Sequence, residues 1–441
     1  MNSIRTLRPS DRRLFLALIA AALFLAATLV WRLVGGGAAP IIVTPARSLT
    51  PPSTADTVAQ MRARLQNAPE DADAYAVLGL ALLQQVRETG DPALYGQAEQ
   101  ALSAALALDG DQLDALVGQG VLALARHDFE AALTWGERAR ALMPYRADAL
   151  GVLVDAHIEL GQYEAAIAAA QTMVNLRPDL SSYSRVAYVR ELHGDTAGAI
   201  AAMTAAVEAG PPGAEATAWA EVQLGHLYFE SGDYSRAGAV YQNALRTVPN
   251  YPYALAGLAR LRAGEGDVAG ATATYEAIIA RLPLPEFVIA LGRLHEATGR
   301  PEQAAAQYDL VRAMQQLNAA AGMNVDLEMA LFEADHGDPA TALAMAEAAH
   351  AQRPTVIADD VLAWANYRHG NFDEAQRLSE RSRRLGMNTA LFSYHAGMIA
   401  AARGEDAEAI AHLQHALALN PNFDPLQARE AAATLAALRG S

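Results

Sequence analysis

The chain of 441 residues contains no cysteine and no lysine, so all 33 of its basic residues are arginine. Without cysteine it has no thiol nucleophile, no disulfide and no thiolate metal site. Without lysine it has neither a Schiff-base amine nor the lysine of a phosphate-binding P-loop. Aromatic residues make up only 6% of the chain, which disfavours a protein built from β-sheets.

Alanine is present in large excess, with 100 copies. Because alanine is the strongest helix former, this bias favours an all-α fold. Hydrophobic residues account for 52% of the sequence, which is enough for a folded core. The length is compatible with two to four domains or with one long repeat array.

Charge is distributed unevenly along the sequence. Residues 1–34 carry five arginines and one aspartate, a net charge of +4, which leaves −20 on the rest of a chain whose total is −16. A body this acidic argues against nucleic acid as a partner, because nucleic acid requires a basic face.

Residues 14–34 form an apolar run with a single charge, Arg32. As a helix the run would span about 31 Å, enough to cross a bilayer, and the arginines before it place residues 1–13 in the cytoplasm. The sequence thus predicts a single-pass protein of the cell membrane with its body extracytoplasmic, on a Gly/Pro-rich linker at 35–54. A cleaved signal peptide, with a cleavage region at 37–39, is the alternative.

Beyond the linker the sequence repeats itself. One alanine recurs early in a second helix at spacings of 33, 34 or 38 residues, a series that only a repeat array produces. We call these residues the marker alanines: Ala98, Ala132, Ala166, Ala199, Ala237, Ala271, Ala304, Ala342, Ala375 and Ala409.

Each repeat follows the same local pattern. A small residue, such as Gly225, stands twelve positions before most marker alanines, and a Gly-containing turn lies between the two. Glycine can end the first helix in a left-handed conformation, and a following Asp, as in Gly232-Asp233, can cap the second. A proline such as Pro249 often follows the second helix and cannot continue it.

This pattern resembles the tetratricopeptide repeat family, with residues 219–250 close to the family's sequence. The resemblance implies an all-α, right-handed α-solenoid of about ten helix-turn-helix units, here behind the predicted transmembrane helix. We place a half-unit cap at 55–71, the solenoid at 72–422 and a capping helix at 423–441. Two insertions divide the solenoid into the groups 72–112, 113–211, 218–316 and 323–421.

No motif in the sequence predicts catalysis, a cofactor or a metal site. Two glycine-rich stretches, beginning at Gly118 and Gly264, lack the preceding strand that dinucleotide binding requires. His412 and His415 share a helical face with His395 nearby, but no complete ligand set accompanies them. We therefore expect a protein that is not an enzyme.

The resemblance instead implies a groove, lined by the first helices, that binds protein or peptide partners. Aromatic and arginine side chains suit such a groove because they bury a large area and bind carboxylates. The predicted groove residues are Tyr188, Trp219, His226, Phe229, Tyr253, Arg260, Arg293, Trp364, Tyr367, Arg368 and Tyr394. The expected function is an interaction scaffold; the alternative is an extracytoplasmic assembly chaperone that holds unfolded clients, for example during c-type cytochrome biogenesis.

Overall fold

The computed structural model describes residues 53–320 and 327–440, which form helices and connecting turns without a strand. These ranges hold 22 helices: α1 (Thr54–Asn67), α2 (Ala72–Thr89), α3 (Ala93–Leu108), α4 (Leu113–Ala125), α5 (Phe129–Leu142), α6 (Ala147–Glu159), α7 (Tyr163–Leu176), α8 (Leu180–Leu192), α9 (Thr196–Ala209), α10 (Glu215–Glu230), α11 (Tyr234–Thr247), α12 (Pro252–Gly264), α13 (Val268–Ile279), α14 (Pro285–Ala297), α15 (Pro301–Ala320), α16 (Leu327–His336), α17 (Pro339–Gln352), α18 (Val356–His369), α19 (Phe372–Ser382), α20 (Ala390–Ala402), α21 (Asp406–Leu419) and α22 (Gln427–Gly440). From α2 to α21 they pair into ten antiparallel units.

The turn inside each unit is built as the sequence predicts. Gly194 and Gly232 have φ angles of 74° and 77°, a left-handed conformation that other residues adopt only at a cost. The side chains of Asp195 and Asp233 then cap the next helix by accepting hydrogen bonds from Gly198 N and Arg236 N. Local chemistry therefore fixes the reversal between the two helices.

The core lies between the helices of each unit and between neighbouring units. All ten marker alanines are at most 2% exposed, because they stand where two helix backbones approach closely. The ring of Tyr241 fills the space between Gly225 and Gly257, on the first helices of consecutive units. The alanine excess is therefore partly a packing requirement.

First helices of consecutive units pack against one another along the inner side of the array. We call the turns within units the upper rim and the loops between units the lower rim. The array curves so strongly that the lower rim of its second superhelical turn, α12 to α21, rests on the upper rim of its first, α2 to α11. The residues that meet there are 186 to 194 positions apart.

We call this contact the seam: residues 87–90, 159–163, 193–194 and 229–234 on the upper rim, and 282–284, 353–356, 385–387 and 419–422 on the lower rim. Val356 N donates a buried 2.8 Å hydrogen bond to the Tyr163 hydroxyl. Asn420 donates at 2.9 Å to the carbonyl of Phe229, and Arg353 pairs with Glu159 at 2.5 Å. The seam is a packed and hydrogen-bonded interface inside one chain.

The structure corrects the predicted membrane topology. Among the helices of residues 53–320 and 327–440, none is both long and apolar enough to cross a membrane. The longest, α15, has 20 residues but carries charges such as Glu302, Asp309 and Arg312. The predicted fold class, with its transmembrane helix, and the predicted single-pass location at the cell membrane are therefore wrong; residues 14–34, on which both rested, lie outside the described part.

Candidate functional site

All eleven predicted groove residues lie on first helices: one on α8, three on α10, two on α12, one on α14, three on α18 and one on α20. Their accessibility differs widely. Phe229, Trp364 and Tyr394 are at most 1% exposed, and Arg368 is exposed. The other seven are half-buried: Tyr188, Trp219, His226, Tyr253, Arg260, Arg293 and Tyr367.

The last part of the predicted groove is covered by the chain's own closing helix, α22. Trp364 and Tyr394 share a hydrophobic cluster with Phe423 and with residues of α22. The Tyr394 hydroxyl donates a 2.6 Å hydrogen bond to Glu430, and Trp364 stacks on Tyr367 with 4.7 Å between ring centroids. Trp364 and Tyr394 are thus part of the core.

Arg293 lies at the centre of a buried polar network next to this helix. Its guanidinium contacts Asp335 at 2.6 Å and Asp424 at 3.0 Å, and both carboxylate side chains are 7% exposed. Trp364 Nε1 and Gln427 Nε2 also donate to Asp335. Burial raises the pKa of Asp335, although the positive charge of Arg293 offsets part of this effect.

Arg260 holds the loop that leads into α22. Its guanidinium lies 3.8 Å from the ring centroid of Phe229 and donates hydrogen bonds of 2.9 Å to Glu230 and 2.8 Å to the carbonyl of Phe423. Beside this contact is a cavity of about 480 Å³ that Arg260, Arg293 and Glu286 help to line. Both arginines are therefore already paired with acidic or carbonyl groups of the chain itself.

Two acids, Glu191 of α8 and Glu286 of α14, lack a cationic partner within the described residues. Burial raises the pKa of Glu191 to about 7, and the nearby charge of Glu230 adds to the effect. The surrounding protein also raises the pKa of Glu286, but the residue is exposed, so water screens part of this effect. Glu191 is therefore only partly ionised near neutral pH.

Aromatic and imidazole side chains surround these acids. Tyr188 lies three residues before Glu191 on α8, and burial raises the pKa of its hydroxyl group. Burial, together with the charge of Arg260, lowers the pKa of His226 to about 4, so this imidazole is neutral at pH 7. Tyr188 and His226 are thus uncharged at pH 7, and among the described residues the charged groups of this region that lack a partner are the two acids.

Trp219 and Tyr253 lie where the seam begins. The guanidinium of Arg87 stands 5.9 Å from the Trp219 ring centroid and 3.5 Å from Glu215. Tyr253 packs against Phe287 with 5.6 Å between the ring centroids. Part of each ring therefore stabilises the array itself.

The three histidines noted in the sequence are hydrogen-bonded separately. His395 is fully buried and contacts Asp360 at 2.8 Å, His412 contacts Arg383 at 2.9 Å, and His415 contacts Asn388. Across residues 53–320 and 327–440, no three acidic or histidine side chains are grouped as metal ligands.

Sequence reasoning missed Glu286 and Asp335. Glu286 occupies the first turn of α14, where an acid is normally interpreted as favourable to the helix dipole. Asp335 lies near the end of a first helix, and Asp424, the second acid that binds Arg293, is 89 positions away, so no local pattern connects them. The packing of the chain's closing segment brings Asp424 to Arg293 and Gln427 to Asp335.

Two family models, both described as tetratricopeptide repeat, match the sequence. One matches residues 123–189 and 228–287, and the other matches residues 93–149 and 361–422. The chain belongs to the tetratricopeptide repeat family. In this tetratricopeptide array the first helices of consecutive units pack against one another, as described above. The search of curated protein sequences gave no match.

Several solved structures are similar at low identity. The APC/C hetero-tetramer Cut9-Hcn1 matches with 16% identity over 88% of this chain and 83% of that chain, at a TM-score of 0.40. The human IFIT1 dimer with PPP-AAAA matches with 14% identity over 74% and 77%, at 0.46. Yeast Tom70 matches with 14% identity over 88% and 96%, at 0.38. These similarities carry no argument about function.

Proposed function

We propose that this tetratricopeptide array is a non-catalytic interaction scaffold that binds a basic polypeptide segment along its inner face. Membership of a repeat family whose arrays present a concave binding surface supports the general role. The observation that carries the finer proposal is a pair of acids on first helices, the half-buried Glu191 and the exposed Glu286, that have no cationic partner among the described residues.

The charges on the inner face determine whether a positively or a negatively charged partner is attracted. Arg260 and Arg293 are neutralised by the chain's own Glu230, Asp335 and Asp424. The acids Glu191 and Glu286 are not, so the charge left for a partner along α8 to α14 is negative, whereas the exposed Arg368 lies farther along the array on α18. A lysine or arginine side chain placed beside either acid would favour its ionised form, and the interaction would therefore be attractive.

The rings near these acids suit the same partner. Tyr188 is one helical turn from Glu191, and Glu286 is close enough to Tyr253 to affect its ionisation. A cationic side chain that pairs with a carboxylate can also lie against an aromatic ring. The inner face therefore offers both charge and packing to an arginine-rich segment.

The proposal can be tested by calorimetric titration with an arginine-rich peptide and a neutral peptide of equal length. Binding of the basic peptide should strengthen between pH 6 and pH 8, since Glu191, with a pKa of about 7, ionises over this range. The double variant Glu191→Gln, Glu286→Gln should bind at least about tenfold more weakly. The matched control is Glu302→Gln, an exposed acid of the second helix α15.

Equal affinity for both peptides would contradict the basic-segment proposal. A loss of affinity in Glu302→Gln as large as that in the double variant would show that overall negative charge, and not the inner face, attracts the peptide.

A further inference from the structure

The lower rim of the first superhelical turn exposes large apolar side chains that have no partner within the described residues. Five of them lie in the loops and helix ends around residues 108, 142–145 and 176. Their exposed fractions are 45% for Leu108, 45% for Leu142, 49% for Met143, 79% for Tyr145 and 39% for Leu176. Single exposed apolar residues are normal on a protein surface, but several along one edge indicate an interaction site.

Two equivalent positions in the second turn pack into the seam. Leu142 stands ten residues after marker Ala132, and Leu385 stands ten after marker Ala375; Leu385 packs into the cluster of Tyr163 on the upper rim below it. Met143 corresponds in the same way to Leu282, which is 5% exposed and packs at Gly90. The first turn thus repeats an interface edge, and no described residue packs below it.

The upper rim of the second turn is the complementary edge, and it is also open. An aromatic residue stands three positions before several marker alanines. In the first turn Tyr163 accepts a hydrogen bond from Val356, and Tyr234 donates one to Asn420. The equivalent Phe372 in the second turn is 37% exposed.

The glycines of the two upper rims show the same difference. A β-carbon at Gly161 would lie 2.7 Å from the carbonyl oxygen of Pro354, and one at Gly232 would lie 2.8 Å from that of Leu419. At Gly299, Gly370 and Gly404 no atom would lie within 4 Å of such a carbon. The second turn therefore presents the surface that the seam covers in the first.

We propose that the free lower rim of one molecule docks on the free upper rim of a second copy, which continues the seam between molecules. The seam already shows that these two edges fit one another within a single chain. The contact is heterologous because each copy contributes a different surface, so it extends head to tail beyond a dimer.

Sedimentation velocity of the full chain over a dilution series tests this arrangement. The wild-type mass should grow from the 46.7 kDa monomer through dimers to larger species as concentration rises. Tyr145→Glu should block the lower rim and Phe372→Glu the upper rim, so each variant alone should remain monomeric. Both residues are exposed, and a glutamate in the first turn of α19 also suits the helix dipole.

An equimolar mixture of the two variants provides the decisive measurement. Each variant keeps the rim that the other has lost, so the mixture should form dimers of twice the monomer mass and nothing larger. Ile167→Glu, an exposed substitution on the outer helix α7 away from both rims, should associate like the wild type. Circular dichroism spectra check that the variants are folded.

Several outcomes would overturn the proposal. A wild-type chain that stays monomeric throughout the series lacks the contact. Loss of association in Tyr145→Glu but not in Phe372→Glu would mean a symmetric contact of two lower rims. Association that survives both substitutions would come from another surface, and a photo-crosslinker at position 145 that reacts with residues 1–52 of its own chain would identify that segment as the occupant.

Discussion

The seam makes a sharp prediction about two glycines that occupy the same turn in different units. Gly161 follows α6 with a φ of 68°, and Gly299 follows α14 with a φ of 72°. Each donates a hydrogen bond to the carbonyl three residues earlier, at 3.0 and 3.1 Å. The two sites therefore share their local geometry and differ in what lies above them.

Replacing either glycine by alanine forces an L-residue into the left-handed region, at about 1–2 kcal/mol. At Gly299 we expect no further cost, since no atom of the described residues lies within 4 Å of the new β-carbon. At Gly161 the β-carbon meets the carbonyl oxygen of Pro354 at 2.7 Å, and the seam must shift at an additional cost of about 1–3 kcal/mol. We expect losses of about 1–2 kcal/mol for Gly299→Ala and about 2–5 kcal/mol for Gly161→Ala.

Urea unfolding followed by circular dichroism measures the two losses, with a dilute sample so that association between copies does not contribute. The denaturant slope should be compared as well, because an opened seam exposes surface in the native state and lowers the slope. Small-angle scattering should show a larger radius of gyration for Gly161→Ala alone. Equal losses in the two variants, with unchanged radii, would refute the seam.

Three further changes have expected outcomes. Tyr163→Phe should lower the free energy of unfolding by about 1–3 kcal/mol, because the buried Val356 N–H loses its acceptor; Tyr145→Phe is the urea-unfolding control. Glu191→Gln should stabilise the chain by about 1–3 kcal/mol at pH 8 and not at pH 4, because a carboxyl whose pKa rises from 4.5 to about 7 on folding destabilises the native state only above its unfolded pKa; a pH series of unfolding midpoints checks the sign. Arg293→Met should cost about 3–5 kcal/mol at pH 7 by leaving Asp335 and Asp424 as uncompensated buried charges, and acidification should recover part of the loss; an equal loss at pH 7 and pH 4 would contradict the ion-pair explanation.

The helix pairs and the turns within each unit could be predicted from the sequence. The spacing of Ala132 and its equivalents predicted helix pairs, and Gly232-Asp233 predicted both a left-handed turn and a capped helix. These features follow from contacts between residues close in sequence, where helix propensity and turn chemistry act directly. The placement of the candidate groove residues on first helices follows from the same register.

The seam could not be predicted, because it depends on curvature that accumulates over many units. A small rotation per unit decides whether Tyr163 meets Val356, 193 residues later, and no local pattern records that rotation. The same limit applies to Trp364 and Tyr394. Their positions on the inner face could be predicted, but not that α22 would cover them.

The seam also changes how the energy of this array is distributed. In an open solenoid each unit contacts only its neighbours, so stability is a sum of unit and nearest-neighbour contributions, and the ends can unfold separately. Here α6 and α18 are joined by buried contacts, so fraying of the second turn also removes partners from the first. A partner that binds only the closed array stabilises the seam by mass action.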